Sequence, residues 1–127
     1  MRRIVIDMQN YLFADAIALA LKDADSDFDV LRAESPEDAA ELCALSRPYA
    51  LLAEVSGSPR RALEDRLKLG EEVRRQAPEC KIVFAVDENA DSRTAQGVRQ
   101  AKKDGLIDQF IYSSISVGYL AALMDTL

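Results

Sequence analysis

The chain has 127 residues, 49% of them hydrophobic and 30% charged, which is the size and composition of one globular domain. Sixteen basic against 22 acidic residues give a net charge of -6, which argues against direct nucleic-acid binding by this segment. The sequence contains no histidine, so Ser-His or Cys-His catalysis and histidine-ligated metal sites are excluded.

Two further features bear on where the protein works. No apolar run approaches the ~20 residues of a membrane span, so no membrane association is expected. The two cysteines, Cys43 and Cys80, suit a reduced, cytoplasmic protein better than a disulfide framework. We expect both thiols to be packing or surface groups and not nucleophiles.

The first half of the chain alternates apolar runs with helical patterns. Asn10 is a plausible N-cap, and Ser35 followed by Pro36 marks a helix start, because serine caps and proline is favoured in the first turn. The predicted strands are 3–7, 28–32 and 49–55, and the predicted helices are 11–22 and 35–46.

The second half continues the alternation. A charged helix is predicted with Leu63, Leu67, Gly70 and Val73 on its inner face, and Gly105 is predicted to end the following helical segment. The predicted strands are 81–86 and 107–112, and the predicted helical segments are 62–76, 87–104 and 117–127.

This order of elements predicts a single α/β domain over residues 1–127 with a parallel five-stranded sheet between two helical layers. The three most apolar strands belong at the centre, which favours the doubly wound strand order 2-1-3-4-5. Ligands of such sheets bind beyond the carboxyl ends of the strands, at the switch point between the first and third strands. The residues expected there are Asp7, Met8, Gln9, Glu54, Val55, residues 85–87 and Ser113.

The sequence resembles the response-regulator receiver (CheY-like) family over its whole length. The segments that carry the resemblance are 4–7, 12–15, 49–54, 81–85 and 108–111. In that family an acidic pair after strand one binds Mg²⁺, and an aspartate that ends strand three accepts a phosphoryl group. A Thr or Ser after strand four and a Lys before a proline after strand five bind the phosphoryl oxygens.

The resemblance implies an atypical receiver, because its functional positions carry other residues. Glu54 stands at the phosphoacceptor position, Ala85 at the Thr/Ser position and Ser113 at the Lys position. A gapless count places Met8 and Gln9 at the acidic pair, whereas a one-residue insertion would place Asp7 there; both alignments stay open. We therefore expect a pseudo-receiver that is not phosphorylated at the usual site.

Glu54 has two interpretations. Its fixed negative charge could mimic a phosphoryl group and hold the domain in one signalling conformation. Alternatively, Glu54 is a solvated strand end, an interpretation that the loss of the hydroxyl and lysine positions favours.

The sequence contains two further candidate sites. Asp7 and Glu54, with Asp87 and Glu88, could hold Mg²⁺ or another divalent cation, although no cofactor is the simpler expectation. The loop 56–61 could bind an anion through its amides and Arg60 and Arg61, although it lacks P-loop spacing.

The function expected from the resemblance is that of a signal-transduction receiver without enzymatic activity. It would act on an attached or separate effector through protein contacts, with homodimerisation as one form of contact. The interaction face implied by the family contains Tyr112, Val117, Tyr119 and Leu120. The alternatives are a structural or dimerisation domain that has lost regulation, and a metal-dependent enzyme of flavodoxin-like fold.

Overall fold

A computed structural model describes residues 1–87, 89–114 and 116–127, and Val117 only by its place in a helix. Within these ranges five strands alternate with five helices. The strands are β1 (Arg2–Asp7), β2 (Phe28–Arg32), β3 (Ala50–Val55), β4 (Lys81–Val86) and β5 (Gln109–Tyr112). The helices are α1 (Tyr11–Ala24), α2 (Pro36–Ser46), α3 (Leu63–Gln76), α4 (Ser92–Lys103) and α5 (Val117–Asp125).

The strands form one parallel sheet in the order β2-β1-β3-β4-β5, which confirms the predicted doubly wound, three-layer fold. Residues of α1 and α5 pack on one face of the sheet around Ile4, Ile6 and Leu52. Residues of α2, α3 and α4 pack on the other face around Val5 and Leu51. Because both faces are covered, the middles of the central strands β1, β3 and β4 are apolar and buried.

Side-chain caps set the starts of four helices. Asn10 accepts a hydrogen bond from the backbone N–H of Phe13, and Ser35 accepts one from Asp38 ahead of Pro36, as predicted. Ser116 caps α5 in the same way. These caps satisfy backbone donors that the first helical turn leaves unpaired.

Helix α4 begins later than the segment 87–104 suggested. Asp91 is its N-cap, with Oδ1 2.7 Å from the backbone nitrogen of Thr94. Asp87 still belongs to the end of the sheet, because its N–H donates to the carbonyl of Val55. Its carboxylate accepts from the N–H of Asn89, so a turn separates β4 from α4.

The two ends of the chain meet at the edge of the sheet where the strands begin. The guanidinium of Arg2 forms ion pairs with Asp25, Asp27 and Asp125, the last at 2.9 Å. The same group lies over the rings of Phe28 and Tyr49. No helix in the described ranges combines the length and apolar character needed to cross a membrane.

Candidate functional site

The fold brings together the predicted positions at the carboxyl edge of the sheet. Ala85 on β4 is the register partner of Glu54 on β3, and the N–H of Ser113 donates to the carbonyl of Val86. Met8, Ala85 and Ser113 border one small cavity, which is completed by Phe13, Ile17, Ile111 and Leu120. With a volume of about 10 Å³, it has room for roughly one water molecule.

The carboxylate of Glu54 is held by the turn that follows β1. Glu54 is half-buried, and its Oε1 accepts a hydrogen bond from the backbone N–H of Gln9 at 3.1 Å. The Gln9 side chain in turn accepts a hydrogen bond from the hydroxyl of Ser58 at 2.7 Å. A chain of polar contacts therefore connects the β1–α1 turn, the end of β3 and the β3–α3 loop.

Asp7 lies on the other face of the sheet from Glu54. Successive side chains of a strand alternate between faces: Ile6 and Met8 belong to the core beneath α1 and α5, whereas Asp7 contacts α3. Ala50 and Leu52 belong to that same α1–α5 core, which puts Glu54 on the side of Met8. Met8 and Glu54 therefore lie on one side of the sheet, and Asp7 lies on the other.

Asp7 is completely buried and paired with arginine. Its Oδ2 is 2.6 Å from Nη1 of Arg66, and neither side chain has exposed surface. Arg66 also donates through Nη2 to the carbonyl of Asp7 and through Nε to the carbonyl of Glu54 at 2.6 Å. One guanidinium on α3 therefore binds the ends of both β1 and β3.

Arg66 is the site residue that the sequence analysis missed. The predicted inner face of Leu63, Leu67, Gly70 and Val73 is confirmed, because Gly70 and Val73 are buried and the two leucines pack against the core. The structure adds Leu69 and Arg66 to the buried residues of α3. The spacing of these residues indicates that Arg66 is buried, because positions 66, 70 and 73 lie on one side of a helix. An arginine at such a position is normally assigned to the solvent, and its partner lies 59 residues away in the chain.

The arginines of the loop 56–61 are both engaged in ion pairs. Arg60 Nη1 contacts both carboxylate oxygens of Glu37 at 2.8 Å. Arg61 is largely buried, with Nη2 3.3 Å from Oδ1 of Asp7. Its Nε is buried and makes no hydrogen bond within the part of the chain that the structure describes. An anion in this loop would have to compete with Glu37 and Asp7.

The carboxylates considered for a metal do not gather in one place. Both oxygens of Asp7 face guanidinium groups on the α3 side, and Glu54 is on the opposite side of the sheet. Among the described residues no group of three or more cysteine, aspartate or glutamate side chains is arranged to hold a metal ion. Glu88 lies outside the described residues. Binding of Mg²⁺ by Asp7 would require breaking its ion pair with Arg66.

The predicted interaction face is smaller than expected. Tyr112 and Tyr119 are exposed, at 41% and 58%, but Leu120 is only 1% exposed and packs in the core against the sheet. Leu120 is therefore corrected from a surface residue to a core residue: in α5 it shares the buried side with Met124. The side chain of Val117 lies outside the described residues. The hydroxyl of Tyr112 accepts a hydrogen bond from Arg99 on α4 at 3.0 Å.

The similarity of this chain to known proteins is found in three-dimensional structure. No protein-family model matches the sequence, and no curated protein matches it. A response regulator receiver domain protein from Clostridium thermocellum superimposes with a TM-score of 0.80 at 12% identity, covering 99% of this chain and 93% of that one. A CheY-like receiver domain protein from Methanospirillum hungatei JF-1 gives 0.79 at 13% identity, covering 99% and 92%.

A DNA-binding response regulator of the LuxR family from Staphylococcus aureus gives a TM-score of 0.78 at 14% identity, covering 99% of this chain and 98% of that chain. The fold is therefore the CheY-like fold of receiver domains. At these identities the likeness describes the fold alone, because one fold supports many functions.

Proposed function

We propose that this chain is a signalling module of the receiver type that acts through protein contacts and is not switched by phosphorylation at the end of β3. The observation that carries the proposal is the hydrogen bond from the N–H of Gln9 to Glu54. The carboxylate at the acceptor position is connected to the β1–α1 turn, and Met8 and Ala85 beside it offer neither a metal ligand nor a hydroxyl.

The chemistry of phosphoryl transfer supports this proposal. A phosphoryl group that arrives on a carboxylate needs cations and hydrogen-bond donors around its oxygens. The cavity bordered by Met8, Ala85 and Ser113 is lined mainly by apolar side chains, and Ser113 is uncharged. The buried arginines Arg61 and Arg66 are bound to Asp7 on the α3 side of the sheet.

The first experiment is incubation with acetyl phosphate and Mg²⁺, followed by intact-mass analysis, with a phosphorylatable receiver domain treated in parallel. We expect no phosphoryl adduct on this chain and no change of its melting temperature with Mg²⁺. A stoichiometric, Mg²⁺-dependent adduct on the wild type would overturn the proposal, and peptide sequencing would then locate the acceptor.

The role of Glu54 itself is tested with two variants. Glu54→Gln keeps an oxygen acceptor for the N–H of Gln9 but removes the charge, whereas Glu54→Ala removes both. If the carboxylate serves as a fixed structural acceptor, Glu54→Ala should lower the free energy of unfolding by about 1 kcal/mol. Glu54→Gln should change it less, measured by urea denaturation. If Glu54→Gln alone abolishes partner binding while leaving stability unchanged, Glu54 acts through its charge as a phosphoryl mimic.

The partner is a protein, either a separate effector in the cytoplasm or a domain attached to this one. Tyr112 and Tyr119 lie on β5 and α5 and expose aromatic rings, which are favoured at protein interfaces. Arg99 fixes the Tyr112 hydroxyl, and Lys102 of α4 lies over the ring of Phe110. We propose that this α4–β5–α5 surface makes the contact, with a second copy of the chain as one of its occupants.

Sedimentation analysis over a range of concentrations tests self-association. If the chain dimerises through this surface, Tyr119→Glu should weaken the dimer at least tenfold. Leu45→Glu is the matched control, because Leu45 is an exposed apolar residue on α2 (85%). If Tyr119→Glu and Leu45→Glu weaken the dimer equally, the dimer contact does not lie on the α4–β5–α5 surface. A strict monomer at high concentration would leave a different protein as the partner.

A further inference from the structure

Helix α4 differs in charge from the rest of the chain. Its 12 residues include four basic side chains and no acidic one, and these basic residues are Arg93, Arg99, Lys102 and Lys103. Since the whole chain has a net charge of -6, subtracting these four positive charges leaves -10 for the residues outside α4. All four basic side chains are exposed. An acidic domain therefore presents one positively charged helix to the solvent.

The basic residues of α4 have no carboxylate partners within the described part of the chain. Every ion pair found there is formed by a cation outside α4. The nearby carboxylates make other contacts. Asp91 caps α4, Asp104 accepts a hydrogen bond from a glutamine side chain, and Asp108 pairs with an arginine of α3. On α5, Asp125 pairs with the first strand. The α4–β5–α5 surface thus does not neutralise its own positive charge.

Two of the basic side chains lie next to aromatic rings of β5. Arg99 donates a hydrogen bond to the hydroxyl of Tyr112 at 3.0 Å, and Nζ of Lys102 lies 5.8 Å from the ring centroid of Phe110. The rings of Phe110 and Tyr112 contact each other edge to face. Positive charge and aromatic surface are therefore adjacent along α4 and β5, and arginine and tyrosine are both favoured at protein interfaces.

We propose that α4 and β5 bind an acidic segment of a partner protein, with carboxylates against Arg99, Lys102 and Lys103 and an apolar side chain against Tyr112. This inference rests on the proposed function, because it specifies the chemistry of the partner at the α4–β5–α5 surface. Opposite charges across an interface select the correct partner and speed its association. Twelve helical residues span about 18 Å, so a short acidic segment is sufficient to cover α4.

Other occupants fit this surface less well. Dimer contacts are usually two-fold symmetric, so that one patch meets its own copy. In a symmetric dimer built on α4, the basic residues of one copy would face those of the other, which is unfavourable. Duplex DNA extends beyond α4 and meets the acidic remainder of the domain, which repels its phosphates.

The test measures the binding of two labelled synthetic peptides, each of about twelve residues to match the length of α4, to the full chain by fluorescence anisotropy. One peptide carries glutamates, leucines and a tyrosine, and the other has glutamine in place of each glutamate. We expect the acidic peptide to bind about tenfold more tightly at low salt, and this advantage to shrink as salt screens the charges. Changes in amide chemical shifts should concentrate in α4 and β5.

Two double variants with the same loss of charge locate the contact. Arg99→Gln combined with Lys103→Gln should weaken binding of the acidic peptide about tenfold, because both cations lie in the proposed contact. Lys22→Gln combined with Lys68→Gln is the matched control, since these lysines are exposed on α1 and α3. The control should weaken binding less than about twofold, because distant exposed charges are screened.

Four outcomes would each overturn the proposal: no binding of either peptide, equal affinity for both, equal weakening by the two double variants, or chemical-shift changes centred outside α4 and β5. Duplex DNA or anionic lipid vesicles that bind as tightly as the acidic peptide would also overturn it, because the surface would then recognise negative charge in general. The proposed function fails on different evidence, namely a phosphoryl adduct in the acetyl phosphate experiment.

Discussion

At the scale of single residues, Asp7 and Arg66 form an ion pair in which both side chains are completely buried. Taking two charges out of water costs several kcal/mol per ion, and attraction offsets this only with good geometry and further hydrogen bonds. Arg66 meets that condition, because all three of its nitrogens donate hydrogen bonds. Nη1 donates to the Asp7 carboxylate, Nη2 to the Asp7 carbonyl and Nε to the Glu54 carbonyl. The pair therefore organises the ends of β1 and β3 in one arrangement.

We expect Arg66→Met to lower the free energy of unfolding by about 3–5 kcal/mol, because Asp7 would remain as a buried charge with fewer partners. Asp7→Asn should cost a similar amount, since it leaves Arg66 uncompensated. The double variant should cost less than the sum of the two, as coupled residues do. Urea denaturation of the three variants measures these energies.

Arg75→Met is the control for this cycle, because Arg75 is on the same helix but its side chain is 69% exposed. It should change the free energy of unfolding by less than about 1 kcal/mol. If the changes in the free energy of unfolding of Asp7→Asn and Arg66→Met simply add in the double variant, the coupling inferred from the structure is contradicted.

The sequence was informative for some of these residues and not for others. It placed Met8, Glu54, Ala85 and Ser113 at one edge of the sheet, because strand ends in a parallel sheet are set by topology. It could not show that Arg66 is buried, since this depends on a partner distant in sequence. For Leu120, helical spacing was compatible with both the core and a contact face, and only packing against the sheet decides.

At the scale of elements, short local signals predicted the helix starts best. Ser35 and Pro36 marked α2 because capping and proline geometry act within one turn. The start of α4 was misplaced because the region after Asp87 is uniformly polar, and apolar periodicity begins only further along. The Asp91 cap is local, but several acidic and polar residues nearby could have served as well.

The Asp91 cap predicts a dependence of stability on pH. Hydrogen bonds from the backbone N–H and hydroxyl of Thr94 lower the pKa of Asp91 below its ordinary value of 3.8. The ionised cap therefore contributes fully above pH 3.8, and its contribution is lost as the pH falls through the lowered pKa. We expect Asp91→Asn to reduce the melting temperature at pH 7 by a few degrees at most, since asparagine also caps.

The difference between wild type and Asp91→Asn should shrink below pH 4, measured by circular dichroism at 222 nm. Glu41→Gln serves as the control, because Glu41 is exposed in the middle of α2 and caps nothing. A wild-type advantage that stays constant down to pH 3 would show that the carboxylate charge of Asp91 does not stabilise α4.

At the scale of the whole molecule, the alternation of elements was sufficient to predict the sheet order. Short right-handed connections leave few arrangements for five strand–helix units, and the apolar character of the first, third and fourth strands places them at the centre. The overall fold does not determine the function of the protein. The receiver fold is shared by proteins of different output, so the contact surface and the Glu54 site have to be tested directly.

The net charge of -6 predicts that this chain does not bind DNA by itself. Fluorescence anisotropy with a labelled duplex at 150 mM salt should show no saturable binding at micromolar protein concentrations, because a duplex extends beyond the basic helix α4 and meets the acidic residues around it. Lowering the salt tenfold should not restore it. Saturable binding that strengthens as salt is removed would contradict the prediction.

The ion pair between Arg2 and Asp125 has a consequence for how the molecule is connected to anything else. Helices of this fold run opposite to the strands, so both ends of the chain emerge at the edge where the strands begin. A tag, fluorophore or second polypeptide joined at either end would therefore sit about one strand length away from Glu54. A label at the termini and a label near Gln9 would report on opposite poles, and energy transfer between them would measure whether a change at one pole reaches the other.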